Sequence, residues 1–106
     1  MQNTSKPMTL SKNQLKHLLG LAHSIKPVIL IGQNGLTESV LNELENAINH
    51  HELIKAKLNS DDRAQRKEMI ESLLHHSKAE LVQYIGKTVT LYRRNPKKPK
   101  IELPKT

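Results

Sequence analysis

The chain contains no cysteine, no tryptophan and no phenylalanine, and its aromatic rings other than histidine are Tyr84 and Tyr92 alone. Absence of cysteine excludes disulfides, thiolate nucleophiles and cysteine-ligated zinc. Long apolar runs are missing too. The longest span four or five residues, against the ~20 that a bilayer-crossing helix needs, and Met1–Lys6 is polar where a secretory signal would place an apolar core. These absences set the expectation of a cytoplasmic protein with no membrane partner. No His-Glu-x-x-His and no Ser/His/Asp signature occurs. The adjacent pairs His50-His51 and His75-His76 point about 100° apart on a helix and do not chelate as i, i+4 pairs do. The reading is of a protein that is not an enzyme, with no cofactor, no metal and no small-molecule substrate. Asp61-Asp62 then reads as helix-capping charge, and Glu68 with Glu71 as a solvated helix face.

What the chain does have is charge of one sign at both ends. Its 106 residues carry a formal net charge of +7. Residues 1–26 contribute Lys6, Lys12, Lys16 and Lys26 with no acid. Residues 27–86 are net acidic. Residues 87–106 set Lys87, Arg93, Arg94, Lys97, Lys98, Lys100 and Lys105 against Glu102 alone. A merely solvated surface mixes its signs, so this segregation points to a polyanion, with an anionic membrane or an acidic protein as the lesser options.

The rest of the chain is organised around Pro27-Val-Ile-Leu-Ile-Gly32-Gln-Asn-Gly35-Leu-Thr-Glu38. Val28 to Ile31 has no polar residue at alternate positions, which predicts a central strand buried on both faces. Thr37 reads as the N-cap of a helix, with Leu36 stapling onto Leu41. Between strand and helix, Gly32 and Gly35 let backbone approach a phosphate, and the first helical N–H groups are free donors. The alternative is a tight turn that binds nothing. Neither the third glycine of a dinucleotide loop nor the Gly-Lys-Ser/Thr of a Walker loop is present. A short glycine loop clamping a nucleic-acid backbone, as in K-homology domains, remains, although there the loop joins two helices.

In chain order, Ser11-x-x-Gln14 is a capping box with Leu10 and Leu15 as its staple, and Leu15, Leu18, Leu19 and Ala22 form one helical stripe. A second helix spans about 38–50. Leu53 to Leu58 alternates, with Ile54, Ala56 and Leu58 on one side and Lys55 and Lys57 on the other. Asn59–Asp62 supplies turn and cap for a third helix whose stripe is Met69, Ile70, Leu73 and Leu74, ending at His75-His76-Ser77. Glu80–Ile85, Gly86-Lys87 and Thr88–Arg93 make a hairpin with a type II′ turn. Its register puts Val82, Tyr84, Val89 and Leu91 on one face and Gln83, Thr88, Thr90 and Tyr92 on the other, wetter one. Residues from Asn95 on read as an extended basic tail outside the core.

The predicted fold class is thus α/β in the α+β sense: a two-layer α-β-α-β-α-β-β chain with a four-stranded mixed sheet. It is one domain over residues 1–95, followed by a Pro/Lys-rich tail, 96–106. Right-handed crossovers make the first three strands parallel and the last antiparallel. Their ends then gather the Gly32–Gly35 loop, Lys57 and the Gly86-Lys87 turn at one edge, a better anion site than the loop alone.

The segments Leu18-Leu-Gly-Leu-Ala-His23, Pro27–Thr37, His51-Glu-Leu-Ile-Lys55 and Gly86-Lys-Thr-Val-Thr-Leu-Tyr-Arg93 together resemble the chloroplast RNA splicing and ribosome maturation (CRM) domain family, in its stand-alone bacterial YhbY-type form. The resemblance covers roughly residues 8–104. It implies a fold similar to the C-terminal domain of translation initiation factor three, RNA binding, and association with precursors of the large ribosomal subunit. It maps the family's glycine loop onto Gly32, Gln33, Asn34 and Gly35, and its basic surface onto Lys87, Arg93 and neighbouring cations. Many members carry a basic residue inside the loop. Gln33 and Asn34 are neutral, so a phosphate contact here rests on backbone N–H groups and outlying lysines.

Residues and resemblance together give the candidate RNA-binding set Gly32, Gln33, Asn34, Gly35, Thr37, Lys57, Lys87, Tyr92, Arg93, Arg94, Lys97 and Lys98. Two rings are too few for base stacking to dominate, so recognition of backbone and shape is expected, with Tyr92 the one stacking candidate and Tyr84 in the core. The function expected is that of a monomeric RNA-binding factor acting on ribosomal RNA in precursors of the large subunit. The alternative is a basic module that docks on ribosomal proteins or another acidic partner. DNA binding ranks third, since no recognition helix loaded with basic and amide side chains is evident.

Overall fold

The structure is a computed structural model that describes residues 10–105; Lys6 and the polar Met1–Lys6 segment lie outside the described residues. Seven elements follow in the expected order: α1 (Lys12–Ala22), β1 (Ile29–Ile31), α2 (Glu38–His51), β2 (Leu53–Leu58), α3 (Arg63–Ser77), β3 (Glu80–Ile85) and β4 (Thr88–Tyr92). Local chemistry sets the helix starts. Ser11 and Gln14 form the reciprocal capping box. Thr37 accepts from the Val40 N–H, and Asp62 accepts from the N–H groups of Ala64 and Gln65. Each satisfies a donor that the first helical turn leaves open. At the β3–β4 turn Gly86 has φ +59° while Lys87 stays out of the left-handed region, which fits type II′ rather than type I′.

The sheet order is β1-β2-β4-β3, with β1 and β2 parallel and β4 antiparallel to both its neighbours. Strands β1, β2 and β3 therefore point one way, as expected, but β4 inserts between β2 and β3. That order corrects the position of β1, which is an edge strand and not a central one. Ile29 and Ile31 are buried, whereas Leu30 is 58% exposed and Val28 52%. The apolar run reports hydrophobicity without reporting how many neighbours the strand has.

One face of the sheet carries Ile29, Ile31, Ile54, Ala56, Leu58, Val89 and Leu91 and packs on Leu44 and Ile48 of α2 and on Met69, Ile70 and Leu73 of α3. The opposite face carries Leu53, Val82 and Tyr92, covered by Leu18 and Ala22 of α1. The two layers expected thus gain a partial third, because the α1 stripe needs its own apolar partner. Two details of the hairpin are corrected with it. A register shift between Leu81 and Gln83 sends Val82 to the α1 side, away from Tyr84, Val89 and Leu91. The face holding Thr90 and Tyr92 is not the wetter one at that end, since both residues are buried.

The segment after Asn95 has neither helix nor strand, as expected, but it is not a free tail. Ile101 and Leu103 join Leu10, Leu15 and Leu19 on the α1 side of the sheet, and the Gln14 Nε2 donates to the Pro104 carbonyl at 2.8 Å. Among the described residues no helix is long and apolar enough to cross a membrane.

Candidate nucleic-acid interface

At the end of β2, the Asn59 N–H donates to the Ile31 carbonyl at 2.8 Å and the Leu58 N–H donates to the Lys87 carbonyl at 2.6 Å. These two bonds place the ends of β1 and β2 beside the β3–β4 turn. Gly32–Gly35, Asn59–Asp62 and Gly86-Lys87 accordingly share one rim, as the common strand direction requires. The lysine heads do not converge on the glycine loop, however. Lys87 Nζ reaches Asp61 Oδ1 at 2.6 Å, and its hydrogen bond and charge hold the Asp61 carboxyl below the usual range. Lys57 is exposed on the opposite sheet face, in register between Leu30 and Thr88. Across a groove of about 440 Å³ the loop instead faces Gln65, Glu68, Ser72 and His76 of α3. The site of two lysines flanking the loop is therefore corrected to a shared rim of separate cations.

Within the loop the two glycines differ. Gly35 has φ +75°, and its N–H closes a turn onto the Gly32 carbonyl at 3.0 Å. That backbone conformation disfavours any residue with a Cβ. Gly32 is not in the left-handed region, and a methyl group placed on it meets nothing within 4 Å among the described residues. Neither the turn nor internal packing explains a glycine there. Gln33 and Asn34 at the tip are exposed, and so is Thr37, whose hydroxyl is committed to capping α2.

A second cationic surface forms at the other end of the sheet, and its organiser is a residue that sequence reasoning missed. Glu52 caps α2 with φ +66°, an uncommon conformation for a side chain of this size. It is completely buried. Its carboxylate accepts the N–H groups of Asn95 (2.6 Å), Lys100 (2.8 Å) and Ile101 (2.7 Å), while its carbonyl accepts that of Arg93 (2.9 Å). Four bonds to the C-terminal segment hold this backbone in place. Because they use main-chain N–H groups, the side chains of Lys97, Lys98 and Lys100 stay exposed. The docked segment runs beside the start of α1, where Lys12 and Lys16 are also exposed. Arg94, Lys100 and Lys105 line a cleft of about 820 Å³ there with Gln14 and the single acid Glu102. The sequence signal for Glu52 was its place in the His51–Lys55 segment, an acid at the helix-to-strand junction where a glycine would be the ordinary C-cap.

Two candidates are corrected. Tyr92 is fully buried, its hydroxyl without a hydrogen-bond partner among the described residues, and burial followed by the charge of Glu52 raises its pKa against the opposing effect of Arg94. It cannot stack on a base. Arg93 is committed internally: Nη1 donates to Glu45 Oε1 (3.0 Å) and the Ser77 carbonyl (2.8 Å), and Nη2 donates to Glu45 Oε2 (2.7 Å) and Asn49 Oδ1 (2.7 Å). It ties α2 to α3 and leaves no donor pair for phosphate. Tyr84, assigned to the core, is the accessible ring, 37% exposed.

Comparison with known proteins gives one consistent result. Residues 10–93 match the family described as the CRS1 / YhbY (CRM) domain. A Haemophilus influenzae protein named "RNA-binding protein" is 48% identical over 97 residues, covering 92% of this chain and 97% of its own length. A Pseudomonas aeruginosa protein named "Probable RNA-binding protein" is 47% identical over 90 residues, covering 85% and 86%. The solution structure of a Staphylococcus aureus protein superposes with a TM-score of 0.76 at 33% identity, over 91% of this chain and 100% of that one.

Proposed function

The chain belongs to the CRS1 / YhbY (CRM) domain family, and on that premise we propose that it binds RNA, and that its target is ribosomal RNA in precursors of the large ribosomal subunit. The observation that carries the reading is the docking of residues 95–104 by Glu52 and Gln14. This docking fixes the backbone from which Lys97, Lys98 and Lys100 extend exposed side chains, with Arg94 and Lys105 exposed at either end of the segment. Such a surface neutralises a phosphate backbone and carries no base code of its own. The rim of Gly32–Gly35 supplies a second contact, through its exposed tip at Gln33 and Asn34 and a half-buried glycine, Gly32, that internal geometry does not require.

In this role the protein is a binding factor of the cytoplasm that works without catalysis. Its preference is for folded RNA, whose shape presents phosphates to both surfaces. The direct test compares binding to structured RNA, duplex DNA, protein-stripped subunit precursors and intact precursors. Preference for structured RNA that persists after stripping is the expected outcome. Loss of binding on stripping would assign the basic surface to a ribosomal protein instead. Crosslinking in cells followed by sequencing of bound RNA would locate the site.

A further inference from the structure

Between α3 and the edge strand β3 lies a groove of about 590 Å³ that the preceding reading leaves without a role. Its floor is apolar, formed by Ile70, Leu74 and Leu81, the last 43% exposed. Arg63 and Lys67, four residues apart on α3 and therefore on one face, stand on its rim, both exposed. Tyr84 closes one side. The Arg66 Nε donates to the Tyr84 hydroxyl at 2.9 Å, while the same guanidinium donates through Nη1 to the Ser60 carbonyl at 2.8 Å. An exposed ring is thus held in one orientation by a tethered arginine, with its ordering cost already met in the free protein. Three cations and the single acid Glu71 line the groove.

A flat apolar unit carrying negative charge fits this combination better than an uncharged apolar segment does. Building on the RNA reading above, we propose that the groove receives one unpaired nucleotide of the bound RNA, its base stacked on Tyr84 and its flanking phosphates paired with Arg63 and Lys67. A base inside a helix cannot offer its face, so the nucleotide comes from a bulge or loop. Gly86 also lines the groove, which makes it continuous with the rim formed by the strand ends. RNA lying on the Gly32–Gly35 end therefore has a short path to it.

The test uses an RNA hairpin with one bulged 2-aminopurine and the same hairpin with that base paired. Wild-type protein should quench the bulged probe and bind it more tightly than the paired one. Tyr84→Leu should lose the quenching and bind the bulged probe about tenfold more weakly, the scale of one base–aromatic stack, with the paired probe unchanged. Tyr84→Phe, which keeps the ring, should retain both. Arg63→Gln with Lys67→Gln, two exposed positions on α3, should flatten the salt dependence for the bulged probe only. Melting temperatures of all variants control for folding. Unchanged quenching and affinity in Tyr84→Leu would overturn the proposal while leaving RNA binding intact, and would leave the groove to an acidic peptide pairing with the β3 edge. If wild-type protein binds neither hairpin, the RNA reading itself falls and this inference with it.

Discussion

The carboxylate of Glu52 and the backbone N–H of Ile101 lie 49 residues apart in the chain and meet at 2.7 Å in the interior. That contact, with those to Asn95 and Lys100, converts a Pro/Lys-rich stretch into a placed element. Glu52→Gln keeps the volume but presents one acceptor oxygen and an unwanted donor to three N–H groups. Stability should fall by about 2 kcal/mol in urea denaturation, and amide exchange at Lys100 and Ile101 should accelerate. RNA affinity should fall too, because the cations of the segment lose their fixed position. Slow exchange at those two amides in the variant would show that side-chain packing alone docks the segment.

Neutralising Lys97, Lys98 and Lys100 to Gln should separate binding from folding. Their ammonium groups are exposed, and Glu52 holds Lys100 through its backbone. Thermal unfolding should therefore be unchanged. The dependence of log affinity on log salt should flatten by up to about one unit per lost phosphate contact. An unchanged slope would make the segment a bystander.

The two loop glycines should respond in opposite ways. Gly35→Ala forces a Cβ into φ +75° and should destabilise the fold by about 1–2 kcal/mol. Gly32→Ala meets open space and should leave the melting temperature unchanged while weakening RNA binding. Asn34→Asp adds charge without volume at an exposed tip close to the start of α2, where a carboxylate is neutral or favourable for folding. Its RNA affinity at low salt should drop by roughly 1 kcal/mol with no loss of melting temperature. Parental affinity in both Gly32→Ala and Asn34→Asp would reduce the loop to a turn.

Acid titration should expose the Glu45–Arg93 pair. Hydrogen bonding from Arg93, aided by its charge and by Asn49, lowers the Glu45 pKa below 4.5 against the opposing effect of desolvation. A depressed carboxylate pKa contributes stability that is complete above the unfolded value and is lost as pH falls through the folded one. The loss therefore belongs below about pH 4.5. With the Glu45 side chain 51% exposed, solvent screening keeps the contribution under about 1 kcal/mol. Arg93→Gln should remove this slope and lower stability at neutral pH, since the Ser77 carbonyl and Asn49 also lose a partner. Its effect on RNA affinity should be small compared with that of the C-terminal lysines. A large, salt-dependent loss of affinity would restore Arg93 to the RNA surface.

The elements of this protein were written in local chemistry. Ser11 with Gln14, Thr37 and Asp62 announce three helix starts, and alternation from Leu53 to Leu58 announces a strand with Lys55 and Lys57 on one face. Gly86 announces the hairpin turn. Such signals are legible because their partners sit within a few residues. The family, with the glycine loop as its motif, was legible for a different reason, since four segments had to match in order. Strand order was not legible: Val28–Ile31 reads equally well as a central strand or as an edge strand with exposed Leu30, and only the pairing of β4 with β2 decides it. The exchange of Tyr84 and Tyr92 between surface and core has the same origin. Tyr92 is buried because α1 lies over the end of β4, whereas Tyr84 keeps its expected register opposite Val89 but stands on the edge strand β3, where its ring stays accessible. Arg93 and Glu52 show the limit most sharply. Sequence assigns a charge to each, but whether that charge faces solvent or is spent on Glu45, or on the N–H groups of residues more than forty positions away, depends on contacts that exist only once the chain has folded.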